Sequence, residues 1–146
     1  MIAVVAIGLM LFEAWSGAVR TVPVEPRPVD LWLAQQPDDA PIMEFPLSAA
    51  LSGPGMYYTR FHGKPVTYGY GRISPSLYPQ RHPALLTFPS DEALDQLATW
   101  GVHYVLVTTS TLEYENFTMA DVDAQPRLRH VVTLGDVAVY ELQPSK

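Results

Sequence analysis

The chain has 146 residues, a formal net charge of −6, no cysteine and only 16 % charged side chains. The acidic balance and the lack of any basic stripe exclude nucleic acid as a partner, and zero cysteines exclude disulfides, thiol catalysis and thiolate metal sites. A hydrophobic content of 48 % is that of a globular protein, so disorder is not expected.

Residues 1–19, MIAVVAIGLMLFEAWSGAV, carry one charge, Glu13, and a proline-rich collar (TVPVEPRPVD) follows at once. A helix of that length reaches roughly 28 Å, close to the ~30 Å hydrocarbon core. Ile2, Val4, Val5, Ile7, Leu9, Leu11, Phe12 and Val19 together favour insertion by roughly 2.5–5 kcal/mol. Glu13 costs on the order of 3 kcal/mol at the centre and less near the headgroups, where Trp15 would anchor the helix. A membrane helix is therefore the leading expectation. Two alternatives stand beside it: a cleaved secretory signal ending at Ser16-Gly17-Ala18, which lacks a basic n-region, and a buried core helix. Arg20 and Arg27 follow the apolar run, and the positive-inside rule alone would put the rest of the chain in the cytoplasm.

Residues 20–40 are read as the collar and a short helix, PRPVDLWLAQQP, with Pro28 in its first turn and Pro37 as its stop. Residues 41–146 are long enough for one α/β domain with a modest core. Within it PIMEFPL (41–47) reads as a strand, and residues 48–55 as a small-residue turn. A helical or extended piece to Phe61, an HGKP turn and a short strand or loop come next. Ser90 after Pro89, Asp91 and Glu92 in the first turn, and Gly101 at the end define a helix. VHYVLVTT then reads as a strand covered on both faces, parallel to PIMEFPL. Residues 113–122 are expected to form another helix. LRHVVTLGDVAVYEL alternates about Leu134-Gly135-Asp136 and predicts a terminal hairpin. The expected fold is thus an N-terminal transmembrane helix followed by a small mixed-sheet α/β domain ending in a β-hairpin.

Glu44, a charge inside an apolar strand, needs a partner or a cleft, and is the leading functional carboxylate. The structural alternative is an ion pair with Arg60, Lys64 or Arg72. The aromatic and basic run Arg60, His62, Lys64, Tyr68, Tyr70 and Arg72 offers cations for a phosphate and ring faces for a sugar. Its alternative is a glycine-rich loop that packs tyrosines over the sheet edge. His62, His82, His103 and His130 lie in four separate contexts with no HxH or HExxH spacing, so no metal and no cofactor is expected. His103 reads as a satisfied strand histidine. No nucleophile-elbow motif is present, and Asn116-Phe117-Thr118 is a weak glycosylation sequon.

The order of segments resembles a family. An apolar helix, WLAQQP, PIMEFP, HGKPVTYGYGR, FPSDEALDQLATWGVHYVLV and a GDVAVYEL hairpin are similar to the C-terminal end of bacterial GT-C type polytopic glycosyltransferases. These belong with the protein-O-mannosyltransferase and aminoarabinose-transferase group, which uses polyprenyl-phosphate-linked sugars. The resemblance implies a last transmembrane helix leading into an extracytoplasmic domain at the cell membrane. Membrane lipid, other transmembrane helices and a glycan or lipid-linked sugar are the partners it implies. The family's catalytic carboxylate lies in an early extracytoplasmic loop that nothing here matches, so no catalytic residue carries over. The resemblance therefore implies an accessory domain, inactive by itself and a fragment or partner of a longer protein. The alternative is a standalone membrane-tethered glycan- or protein-binding module.

Overall fold

The computed structural model describes residues 7, 9, 10, 12, 13, 23–47, 49–68, 82–114 and 116–144. In chain order the elements are α1 (Pro28–Leu33), β1 (Ile42–Phe45), α2 (Ala49–His62), α3 (Asp91–Thr99), β2 (Tyr104–Thr108), α4 (Met119–Ala124), β3 (Leu128–Leu134) and β4 (Val137–Leu142). Two 3-10 turns, Pro83–Thr87 and Thr109–Tyr114, precede α3 and follow β2.

The four strands form one mixed sheet in the order β1-β2-β4-β3. β1 runs parallel to β2, with Glu44 opposite Leu106, while β4 is antiparallel to both β2 and β3. This is the small α/β domain with a closing hairpin that the sequence pattern predicts. Beyond β1 the chain adds a single parallel bridge, Ile42 to Val66, with the Ile42 N–H donating to the Pro65 carbonyl at 2.9 Å. At the far edge β3 carries a register shift between His130 and Val132, and Arg129 and His130 are exposed there.

Strand alternation divides the core in two. Met43, Phe45, Val105, Val107, Ala138 and Tyr140 join Ala93, Leu94 and Leu97 of α3 in one cluster. Ile42, Leu106, Val137 and Val139 join Val29 and Leu33 of α1 in the other. Every β2 residue is buried because both faces are covered, which is why that strand reads as a continuous apolar run. Leu94 and Leu97 are fully buried, and each contributes about 1.5–3 kcal/mol. Phe45 stacks on Phe88 at 3.9 Å between centroids, and Phe117 meets Phe88 edge-on at 5.1 Å.

The helix ends follow from local chemistry. The Ala93 N–H donates to Ser90 Oγ at 3.3 Å to start α3, and Gly101, at φ +74°, takes the left-handed turn that ends it. Thr118 and Asp121 cap α4 reciprocally: the Asp121 N–H donates to Thr118 Oγ1 at 3.3 Å, and the Thr118 N–H to Asp121 Oδ2 at 2.7 Å. That cap moves the helix start to Met119, so the expected helix over 113–122 is corrected to a 3-10 turn followed by a shorter helix. A second correction concerns residues 48–55. Residues 49–55 are not a turn but the first half of α2, although Pro54 lies inside the helix. Packing of α2 on α1 and a close approach at Gly55, described below, outweigh the poor helix propensity of Gly and Pro.

Most of the expected membrane segment, residues 1–6, 8, 11 and 14–19, lies outside the described residues. Among the described residues no helix is long and apolar enough to cross a membrane. Ile7, Leu9, Met10 and Phe12 are helical and 58, 60, 70 and 78 % exposed. The buried-core-helix reading does not hold for them.

Candidate functional site

The collar residue Arg27 organises the charged centre of the molecule. Pro28 fixes the first turn of α1, and the Arg27 N–H donates to Asp30 Oδ2 at 2.8 Å. The guanidinium folds back over the same carboxylate, with Nη2 2.9 Å from Oδ1 and Nε 3.1 Å from Oδ2. Its remaining edge reaches β1, where Nη1 donates to Glu44 Oε1 at 2.5 Å. The hydroxyls of Tyr68 and Thr108 donate to the same Glu44 carboxylate at 3.0 and 3.4 Å. Tyr58 of α2 lays its ring 4.2 Å from the guanidinium carbon. Asp30 is wholly buried, Glu44 is 5 % exposed and the Arg27 side chain 22 %.

Two carboxylates thus share one guanidinium, a planar fork suited to bridging them. Burial alone would lower the Arg27 pKa, but the hydrogen bonds it donates to Asp30 and Glu44, with their charges, outweigh burial and the net shift is upward. Burial, and then the Glu44 charge beside it, push the Tyr68 phenol well above its ordinary range, so it stays a donor. Burial likewise lowers the His62 imidazole below its ordinary value. Its Nδ1 accepts the Lys64 N–H at 3.0 Å, which fixes a neutral ring with the proton on Nε2.

The sequence candidates therefore part company. Glu44 and Tyr68 meet in one cluster, and His62 lies close enough to feel the charges of Asp30, Arg27 and Glu44. Glu44 does have a cationic partner, but it is Arg27 rather than Arg60 or Lys64. Arg60 is exposed, bonds the Tyr57 hydroxyl, and lies about 5 Å from the Tyr57 and Phe61 rings. Lys64 is buried in another place, where Nζ donates to the carbonyls of Gln36 and Asp38 and sits 3.6 Å from Asp38 Oδ1. Tyr70 and Arg72 lie outside the described residues. Sequence reasoning missed Arg27 and Asp30, and the signal for them was local: an Arg-Pro-x-Asp start places both side chains on the first turn of a helix.

A cleft of about 190 Å³ opens beside this cluster. It lies at the carboxyl ends of the parallel strands, since Glu44 is the penultimate residue of β1 and Thr108 the last of β2. Arg27, Glu44, Tyr58, Thr108, Ser110 and Asp136 are among its lining residues. Ser110 Oγ donates to Asp136 Oδ2 at 2.6 Å, and among the described residues no histidine lines the cleft to pair with that serine.

At the opposite end of β1 and β2 a second polar chain runs across the sheet. His103 Nδ1 lies 2.9 Å from Asp38 Oδ2 and Nε2 lies 3.2 Å from Glu141 Oε1, and Arg129 pairs with Glu141. His103 sits just before β2, not within it, and both its ring nitrogens have partners. Among the described residues no three His, Asp or Glu side chains gather as metal ligands would.

No protein-family model matches the chain, and no curated protein does. Among solved structures, the C-terminal globular domain of an oligosaccharyltransferase from Archaeoglobus fulgidus superposes with a TM-score of 0.54 over 79 % of this chain and 94 % of that one, at 8 % identity. The two share a fold. At that identity the likeness concerns architecture and carries over no residue role.

Proposed function

We propose that this chain is the accessory, extracytoplasmic C-terminal domain of an integral-membrane GT-C glycosyltransferase that uses a polyprenyl-phosphate-linked sugar. Residues 1–19 form its membrane tether, and the catalytic loop belongs to another part of the enzyme. The fold shared with the globular domain of an oligosaccharyltransferase is the observation that carries this reading. The exposure of Ile7, Leu9, Met10 and Phe12 supports the tether, because water does not reward four bare apolar side chains on one short stretch.

The test is fractionation combined with an assay. The tagged chain should sediment with membranes, resist alkaline extraction, and lose its C-terminal tag to protease added from the extracytoplasmic side. Purified in detergent, it should transfer no sugar from a polyprenyl-phosphate donor. Recovery of the intact chain from the aqueous supernatant refutes the tether. Transfer by the chain alone refutes the accessory role.

A further inference from the structure

From the hydrogen bonds that line it, we infer that the cleft at the carboxyl ends of β1 and β2 binds one neutral sugar ring. The inference takes its setting from the glycosyltransferase reading, but its chemistry stands on the lining itself. Three of the hydroxyl hydrogens there, those of Thr108, Ser110 and Thr111, are already committed within the protein. Thr108 donates to Glu44, Ser110 donates to Asp136, and Thr111 donates to the Thr108 carbonyl at 3.2 Å. The oxygens of those groups keep their lone pairs, and the Asp136 carboxylate adds more, so the wall offers acceptors. Along that wall a ligand is held best by its own O–H or N–H donors.

Charge points the same way. Arg27 is taken up by Asp30 and Glu44, His62 is neutral, and Asp136 adds a further negative charge at the rim. Among the described lining residues a phosphate, which offers only acceptors, would meet carboxylates with no unpaired cation to balance them. Tyr58 and Val137 supply apolar surface for the C–H groups of a ring. The volume of about 190 Å³ lies below that of drug-sized sites and matches a single ring rather than a nucleotide. Placement at the carboxyl ends of adjacent parallel strands is where open α/β sheets hold ligands.

The test uses the full chain in phosphocholine micelles, since maltoside detergents would themselves compete. Saturation-transfer NMR is recorded with the methyl glycosides of glucose, mannose and galactose, with methylammonium as a competitor and inorganic phosphate as the anionic control. At least one glycoside should receive transfer, and phosphate should not displace it. Thr111→Val and Asp136→Ala should each weaken binding by about tenfold, as expected when a charge-assisted or acceptor contact is lost. Arg129→Ala, at the far end of the sheet, should leave binding unchanged. Two rim variants on the same wall guard against one of them failing to fold. Silence from all three glycosides, displacement by phosphate or by methylammonium alone, or indifference to both rim substitutions overturns the inference. None of these outcomes bears on membrane attachment, so the two proposals fail separately.

Discussion

Arg27 and Glu44 lie seventeen positions apart, yet their side chains meet at 2.5 Å, tying the collar ahead of α1 to the middle of the sheet. Removing the guanidinium would strand two buried carboxylates. Because Arg27 keeps some contact with water, Arg27→Met should cost about 2–3 kcal/mol, at and below the lower end of the range for a fully buried pair. Arg27→Lys should recover little, since a lysine cannot bridge both acceptors. Urea denaturation of the three proteins checks this, and a neutral Arg27→Met would contradict the account.

Gly55 faces the Tyr68 hydroxyl so closely that a methyl group on its Cα would overlap that oxygen. Gly55→Ala should therefore destabilise the fold by about 1–3 kcal/mol, despite the better helix propensity of alanine. Tyr68→Phe removes both the clashing oxygen and a donor to Glu44. The double variant should accordingly be more stable than the sum of the two single losses implies, and a double-mutant cycle measures the difference. Strict additivity would show that the contact is not tight.

Acid should expose the second polar chain. Burial acts to raise Asp38, but the Ala40 N–H, Lys64 and His103 outweigh it and hold the carboxyl below its ordinary 3.8. The hydrogen bond from His103, and then Arg129, hold Glu141 below its ordinary 4.5. A carboxyl with a depressed folded pKa takes up its proton more readily in the unfolded chain. Its stabilisation is complete above 4.5 for Glu141 and 3.8 for Asp38, and it drains away as pH falls through the lower folded values. Urea midpoints should fall below about pH 4.5, and Asp38→Asn should flatten that limb; an equally steep loss in the variant would count against it.

Ser90 presents a smaller effect with a cleaner cause. Ser90→Ala leaves the first turn of α3 without its side-chain acceptor and should cost about 1 kcal/mol, whereas Ser90→Asp should be neutral. Thermal unfolding of both variants distinguishes loss of the cap from a general surface effect.

Where an element carries its own start and stop, the sequence announces it. Ser90 and Gly101 bracket α3, Leu134-Gly135-Asp136 marks the hairpin, and β2 shows its double burial as an unbroken apolar run. The part of α2 over residues 49–55 was hidden because Gly53, Pro54 and Gly55 argue against a helix; only the Tyr68 side chain, thirteen positions further on, explains why Gly55 is required. At the candidate site Glu44 could be singled out from its apolar neighbours. Arg27 could not, because the collar reads as a linker until β1 is placed beside it. The Asp38–His103–Glu141 chain was equally invisible, since its members come from three segments that only the sheet brings together.

The outermost strand carries a further consequence. A naked β3 would invite a neighbour to extend the sheet, and polymerisation is the usual penalty for a straight border. The displaced register after His130, together with the protruding Arg129, bends and charges that border. Val66 occupies the other side, beyond Ile42. With one flank bent and charged and the other bridged at Ile42, many copies can crowd together without zipping into fibres.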